Sequence, residues 1–79
     1  MPGEAEDLVI AGEQRALLGE ALKRLSEDHR QVLVLRFLME KSAAEIGAIM
    51  DRKEVTVRGL QLRALRALRR ELDLMGGRP

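Results

Sequence analysis

Between Gln14 and Leu25 the apolar residues Leu17, Leu18, Ala21, Leu22 and Leu25 recur three or four positions apart, the spacing of one helix face. Ser26 follows where an N-cap belongs, with Glu27 and Asp28 placed for the positive end of a second helix that should run to about Met39. That helix carries Val32, Leu33, Leu35 and Phe37. In "EKSAAEIGAIMD", Ser42 and Glu45 form the S-x-x-E capping-box pattern, which predicts a short third helix from about Ala43 to Met50. Asp51 tolerates the left-handed conformation that ends a helix, and "DRK" is just long enough for a tight turn. A fourth helix is predicted from Lys53 or Glu54 to about Leu74, where "GGRP" stops it. One aromatic residue and few β-branched residues leave little material for strands. The fold class is therefore all-α, a small four-helix domain with a helix-turn-helix and a long C-terminal helix. Residues 1–12, with Pro2, Gly3 and Gly12, read as a lead-in or linker remnant, 13–75 as the domain and 76–79 as a disordered tail.

The last helix is divided by side. At about 100° per residue, Val57, Leu60, Ala64, Ala67, Leu68 and Leu72 fall on one arc. Arg58, Gly59, Leu62, Arg63, Arg66, Arg69 and Arg70 fall on the other, and no acid shares that second arc before Asp73. A solvated helix face commonly interleaves arginine with glutamate at i,i+4. An uninterrupted arginine stripe calls for an anionic partner, although a basic face can also be plain solvated surface. The capped short helix and tight turn ahead of it favour DNA as that partner. Gly59 costs its helix about 1 kcal/mol relative to alanine. Its place among the arginines is better explained by close approach to a DNA backbone or base edge than by packing. Leu62 fits two readings equally, a thymine-methyl contact and an anchor for a covering protein.

Composition narrows the rest. The chain has 79 residues, enough for one small domain. It has no cysteine and one histidine, which provide neither a disulfide nor a structural zinc site. The acidic start "MPGEAEDLVIAG" is neither a secretory signal nor a transit peptide, and no apolar run approaches the roughly 20 residues of a membrane span. A cytoplasmic location is the expectation. The net charge of +1 conceals a split: residues 1–28 hold seven acids and three bases, residues 29–79 eleven bases and six acids. The positive half is the one with the arginine face, and phosphates meet a face and not an average. His29 lacks a nucleophile–acid arrangement around it, Ser26 and Ser42 have capping roles, and no glycine-rich phosphate loop or carboxylate pair occurs. No catalytic residue, metal ligand, cofactor or small-molecule substrate is expected.

The residues from "ALKRLSEDHRQVLVLRFLMEK" to "RALRALRREL" resemble region 4 of bacterial sigma factors, most of all the extracytoplasmic-function group. The R-x-V-L-x-L-R helix of that family is matched by Arg30, Val32, Leu33, Leu35 and Arg36, and its S-x-x-E-I-A helix start by Ser42, Glu45 and Ile46. Gly47 stands where alanine is usual, Lys53 where a serine N-cap is common and Val55 where glycine is common. Thr56, Val57 and Arg58 match the T-V-[KR] start of the recognition helix, and Arg63 and Ala64 a later R-A. The resemblance covers about residues 14–73. It implies a helix-turn-helix that reads the promoter minus-35 element while attached to RNA polymerase core through the β-subunit flap, often under an anti-sigma factor. Arg58, Gly59, Leu62 and Arg63 would then face base edges, Arg66, Arg69 and Arg70 would neutralise phosphates, and Ser42, Lys53 and Thr56 would lie by the DNA backbone. The promoter-melting region of such factors has no counterpart in these residues, so the chain is expected to be the C-terminal module of a larger factor.

Two alternatives remain beside that expectation. A LuxR-type output domain has a similar third-to-fourth helix layout, but usually continues into a further helix. A protein-interaction module would use Leu62, Leu65 and Leu72 as partner contacts and its arginines against an acidic protein.

Overall fold

The computed structural model describes residues 4–76. Four α-helices follow one another: α1 over Glu4–Lys23, α2 over Glu27–Leu33, α3 over Ala43–Met50 and α4 over Glu54–Leu74. Among the described residues there is no strand. The third and fourth helices have the predicted bounds. Helix α1 begins at Glu4, well ahead of the expected start, so much of the stretch read as a lead-in is helical. Of the tail expected at 76–79, Gly76 is described in a turn, and residues 77–79 lie outside the described residues.

The second helix departs from expectation in its last turns. Regular α-helix ends at Leu33, and Val34–Leu38 continues as π-helix. The Met39 N–H donates to the Val34 carbonyl at 3.0 Å and the Lys41 N–H to the Leu35 carbonyl at 2.9 Å, both longer loops than the α-helical i→i−4 bond. Glu40, with φ of 55°, then turns the chain out of the helix. The widened turn keeps Leu35 in the core while Phe37, Leu38 and Met39 stay more than half exposed. An apolar spacing pattern reads the period of a helix and does not resolve a single inserted residue.

Capping fixes where α2 and α3 begin. Ser26 accepts a hydrogen bond from the His29 N–H at 3.4 Å. Ser42 and Glu45 close the full capping box, with the Glu45 N–H donating to the Ser42 hydroxyl at 3.1 Å and the Ser42 N–H to Glu45 Oε1 at 2.9 Å. Those bonds hold the Glu45 carboxyl below its ordinary range: the Ser42 backbone N–H contributes most, then the Ser42 hydroxyl, with help from the charge of Lys41.

The core is one cluster. Leu25, Val32, Leu33 and Leu35 meet Ile46 of α3 and Val57, Leu60, Ala64 and Ala67 of α4. The α4 residues are spaced three and four apart, so the apolar arc read from the sequence is the buried one, with Leu68 and Leu72 half-buried at its margin. Two alanines, Ala64 and Ala67, keep side-chain bulk low on that stripe. Two ion pairs tie the outside: Arg52 to Asp28 at 2.8 Å joins the α3–α4 turn to α2, and Arg24 to Glu71 at 4.0 Å joins the end of α1 to α4. Both are solvent-accessible and each contributes at most about 1 kcal/mol.

The turn between α3 and α4 depends on Gly47. Asp51 adopts the left-handed conformation, φ 55° and ψ 53°, and its N–H bonds back to the Gly47 carbonyl. The Arg52 N–H reaches the same carbonyl at 2.8 Å. This folds the Arg52 carbonyl onto α3 so closely that a Cβ on residue 47 would lie 2.6 Å from its oxygen. The contacting atom is backbone, so alanine cannot be accommodated unless the turn moves. Gly47→Ala is expected to cost about 1–3 kcal/mol as an overpacked site, read as a lowered urea midpoint. A midpoint equal to that of the parent would show that the turn does not rely on the approach. A second expectation concerns acid. A carboxyl held down in the folded state stabilises above its unfolded pKa, and that contribution is lost as pH falls through the folded value. Carboxyl NMR titration should find Glu45 below the ordinary glutamate range and Ser42→Ala should return it towards that range.

Candidate nucleic-acid interface

Helix α4 turns its apolar arc inward and leaves the arginine arc open. Arg58, Arg63, Arg66, Arg69 and Arg70 are all exposed, as are Lys53 and Thr56 at the helix start, while Gly59 is half-buried between them. Leu62 is 51% exposed in the middle of the arc. Lys53 caps α4 through its backbone alone, with no side-chain hydrogen bond. Its ammonium is thus not committed to the helix end. The sequence expectation of an arginine face served by one long helix is met in its geometry.

The two arginines nearest the helix start are held differently from the rest. Arg58 Nη2 lies 2.7 Å from Glu54 Oε1, one turn earlier. No acid shares the arc before Asp73, but Glu54, just off the arc at the helix start, reaches Arg58 with its side chain. The Glu-x-x-x-Arg spacing in the sequence was the available signal. Arg63 leans back towards the helix start over Gly59, with Nη1 3.3 Å from where a Cβ on residue 59 would stand. Among the described residues, no acid pairs with Arg63, Arg66, Arg69 or Arg70.

Ser42 lies across a polar groove from these residues. The groove, about 520 Å³, runs between the start of α3 and the first half of α4, where Ser42, Ala43 and Ala44 face Glu54 and Arg58. Ser42 has already spent its N–H on Glu45, and its hydroxyl oxygen accepts the Glu45 N–H. The Ser42 hydroxyl is also engaged with the Glu45 carboxyl, so what this helix start offers an anion is the amides of Ala43 and Ala44, which have no partner within the helix. The carboxylates of Glu40, Glu45 and Glu54 line the same groove with Arg36 and Arg58. Positive potential is consequently weaker there than along the outer part of α4.

A second concavity was not anticipated from the sequence. Leu18 and Leu22 of α1, Leu33 and Val34 of α2 and its extension, Phe37, Leu38, and Leu65 and Leu68 of α4 line an apolar groove of about 230 Å³. Of the leucines expected to meet a partner protein, Leu65 is in this groove, Leu62 is not among its lining and Leu72 is half-buried. The groove needs α1, the π-helical segment and α4 together, which no local pattern reveals. Among the described residues no group of acids and histidine could hold a metal ion, and no helix is long and apolar enough to cross a membrane.

Comparison with known proteins agrees with this arrangement. A curated relative, the ECF RNA polymerase sigma factor BldN of Streptomyces coelicolor, is 37% identical over 67 residues, covering 85% of this chain and 25% of that protein. A solved structure of an RsbN–BldN complex superposes with a TM-score of 0.70 at 34% identity, covering 81% of this chain and 46% of that one. The chain thus spans about a quarter of the curated relative and less than half of the solved one. Residues 21–70 match the family described as Sigma-70, region 4. That match takes in the core, the capping box, the turn and the arginine face, and the chain belongs to the sigma-70 region 4 family.

Proposed function

We infer that this domain recognises double-stranded promoter DNA at a minus-35 element, as the region 4 module of an extracytoplasmic-function-type sigma factor, in the cytoplasm. The observation that carries the reading is the exposed arginine arc of α4, presented by a capped α3 and a tight turn. In this reading α4 enters the major groove. Arg58 and Arg63 supply paired donors that match guanine O6 and N7, and Leu62 meets a thymine methyl. Gly59 lets the helix approach closely, and Arg66, Arg69 and Arg70 neutralise phosphates, with Lys53, Thr56 and the helix start at Ser42 lying at the backbone.

The apolar groove supports a protein partner beside the DNA. RNA polymerase core, through its β-subunit flap, and an anti-sigma factor are the partners this reading assigns. BldN in its complex with RsbN is the relevant parallel. The groove shares α4 with the arginine arc, so a protein seated on Leu65 lies next to the DNA face.

Duplexes selected from a random pool, set against scrambled ones in fluorescence anisotropy, separate the roles. Arg63→Ala should cost about 1–3 kcal/mol on the selected duplex and flatten sequence preference, whereas Arg70→Ala should weaken every duplex alike and reduce the salt slope by about 1. Equal losses on both duplexes for Arg63→Ala would remove it as a base reader. Gly59→Ala should separate stability from binding. The neighbour of the added methyl is the movable end of Arg63, so the helix should gain about 1 kcal/mol while affinity for the selected duplex falls. Tighter binding by this variant would refute close approach at Gly59.

A further inference from the structure

An acid beside a DNA-reading arginine is the feature that the proposed function does not use. Glu54 is on the first turn of α4, and its carboxylate is 2.7 Å from the Arg58 guanidinium with both side chains about half exposed or more, 48% and 70%. The order, glutamate four residues before the base, is the favourable orientation for such a pair on a helix. Exposed pairs of this kind contribute little to stability. The pair borders the polar groove where α3 begins, so it faces the side from which DNA would approach in the reading above. A bare acid in that position would only repel phosphate.

We propose that Glu54 is a positioning residue that makes Arg58 a reader of bases and not a clamp for phosphate. The inference rests on the promoter-recognition reading and deepens it. A guanidinium has five N–H donors, and a carboxylate engaging one side leaves a further edge for bidentate contact with guanine. Holding that edge in place removes part of the rotamer freedom an arginine otherwise loses on binding. The pair is also close to neutral, so it draws little counterion-release affinity from phosphates, which carry no sequence information. Arg63, Arg66, Arg69 and Arg70 lack such a partner among the described residues. Glu54 therefore sets Arg58 apart as a neutralised reader, while Arg63 reads bases with its full charge and Arg66, Arg69 and Arg70 form a charged, unselective remainder.

The test uses the full chain with selected and scrambled duplexes, each duplex also carrying single base-pair changes, over a range of salt. Glu54→Gln should tighten scrambled duplexes, steepen the salt dependence by about one unit, and lose several-fold discrimination at the one base pair where Arg58→Ala loses it. Glu54→Asp keeps the charge at the helix start but shortens the reach. It should leave scrambled affinity near that of the parent and still lose discrimination at that pair. In the double variant Glu54→Gln/Arg58→Ala, discrimination should be no worse than in Arg58→Ala alone. If Glu54→Gln tightens all duplexes by one factor with discrimination intact, Glu54 is surface charge only and the proposal is overturned. It is equally overturned if the Glu54 and Arg58 variants lose discrimination at different base pairs. A parent chain that shows no salt-dependent duplex binding, or no preference for the selected duplex, would instead remove the promoter reading beneath it. Circular dichroism of each variant confirms that a folded helix is being compared.

Discussion

The approach of the Arg52 carbonyl to the bare Cα of Gly47 is the constraint through which everything else is placed. A chain leaving α3 has three residues in which to reverse, and Asp51 takes up the left-handed conformation that begins the reversal. The next carbonyl must then pass over α3 at a distance that forbids any side chain beneath it. That closeness sets where α4 starts and how it is rotated about its axis. The rotation in turn decides that Val57, Leu60, Ala64 and Ala67 meet the core and that the arginines do not. Arg52 serves twice, since its guanidinium reaches Asp28 at the start of α2 while its carbonyl lies on Gly47. The turn is thereby held to the two helices between which α4 must fit.

Charge on the domain is partitioned by this packing. Arg24, Arg52 and Arg58 each have a carboxylate partner, two of them across helices and one along α4. The described arginines of the outer half of α4 do not. A positive field is therefore concentrated away from the turn, while the groove by α3 holds a near balance of acids and bases. A net charge of +1 describes the solubility of the chain and says little about its binding face.

Much of this was legible in the sequence because it is local. The capping box at Ser42 and Glu45, the left-handed Asp51 and the apolar stripe of α4 each depend on residues within a few positions of one another, and each was placed correctly. Helix α1 starts ahead of the expected Gln14 because a glycine such as Gly12 lowers helix propensity without ending a helix. The π-helical turn escaped because one inserted residue leaves the apolar spacing nearly intact. The need for glycine at position 47 was invisible, since it arises from a carbonyl five residues on that folds back over it. The candidate face was legible as an arc of arginines, but an arc does not show the Glu54–Arg58 pair, whose acid stands one turn earlier and off the arc. The apolar groove draws on three separate elements, and only their assembly brings Leu18, Phe37 and Leu65 together.

The length of α4 has its own consequence. Its 21 residues make a rod about 30 Å long at ~1.5 Å per residue, whereas a B-DNA major groove is about 12 Å wide. Laid across that groove, the helix can fill it with about eight residues, a span such as Thr56 to Arg63. The turns bearing Arg66, Arg69 and Arg70 then overhang the far edge, and Leu65 stands at the boundary. In the proposed reading, one rod would then offer successive addresses along its axis, bases first, then the sugar-phosphate rim, then whatever protein lies alongside. Adding or removing a single residue in the middle of α4 would rotate the later addresses by about 100° relative to the first, so the partners assigned to this helix are linked by its register as firmly as by its surface.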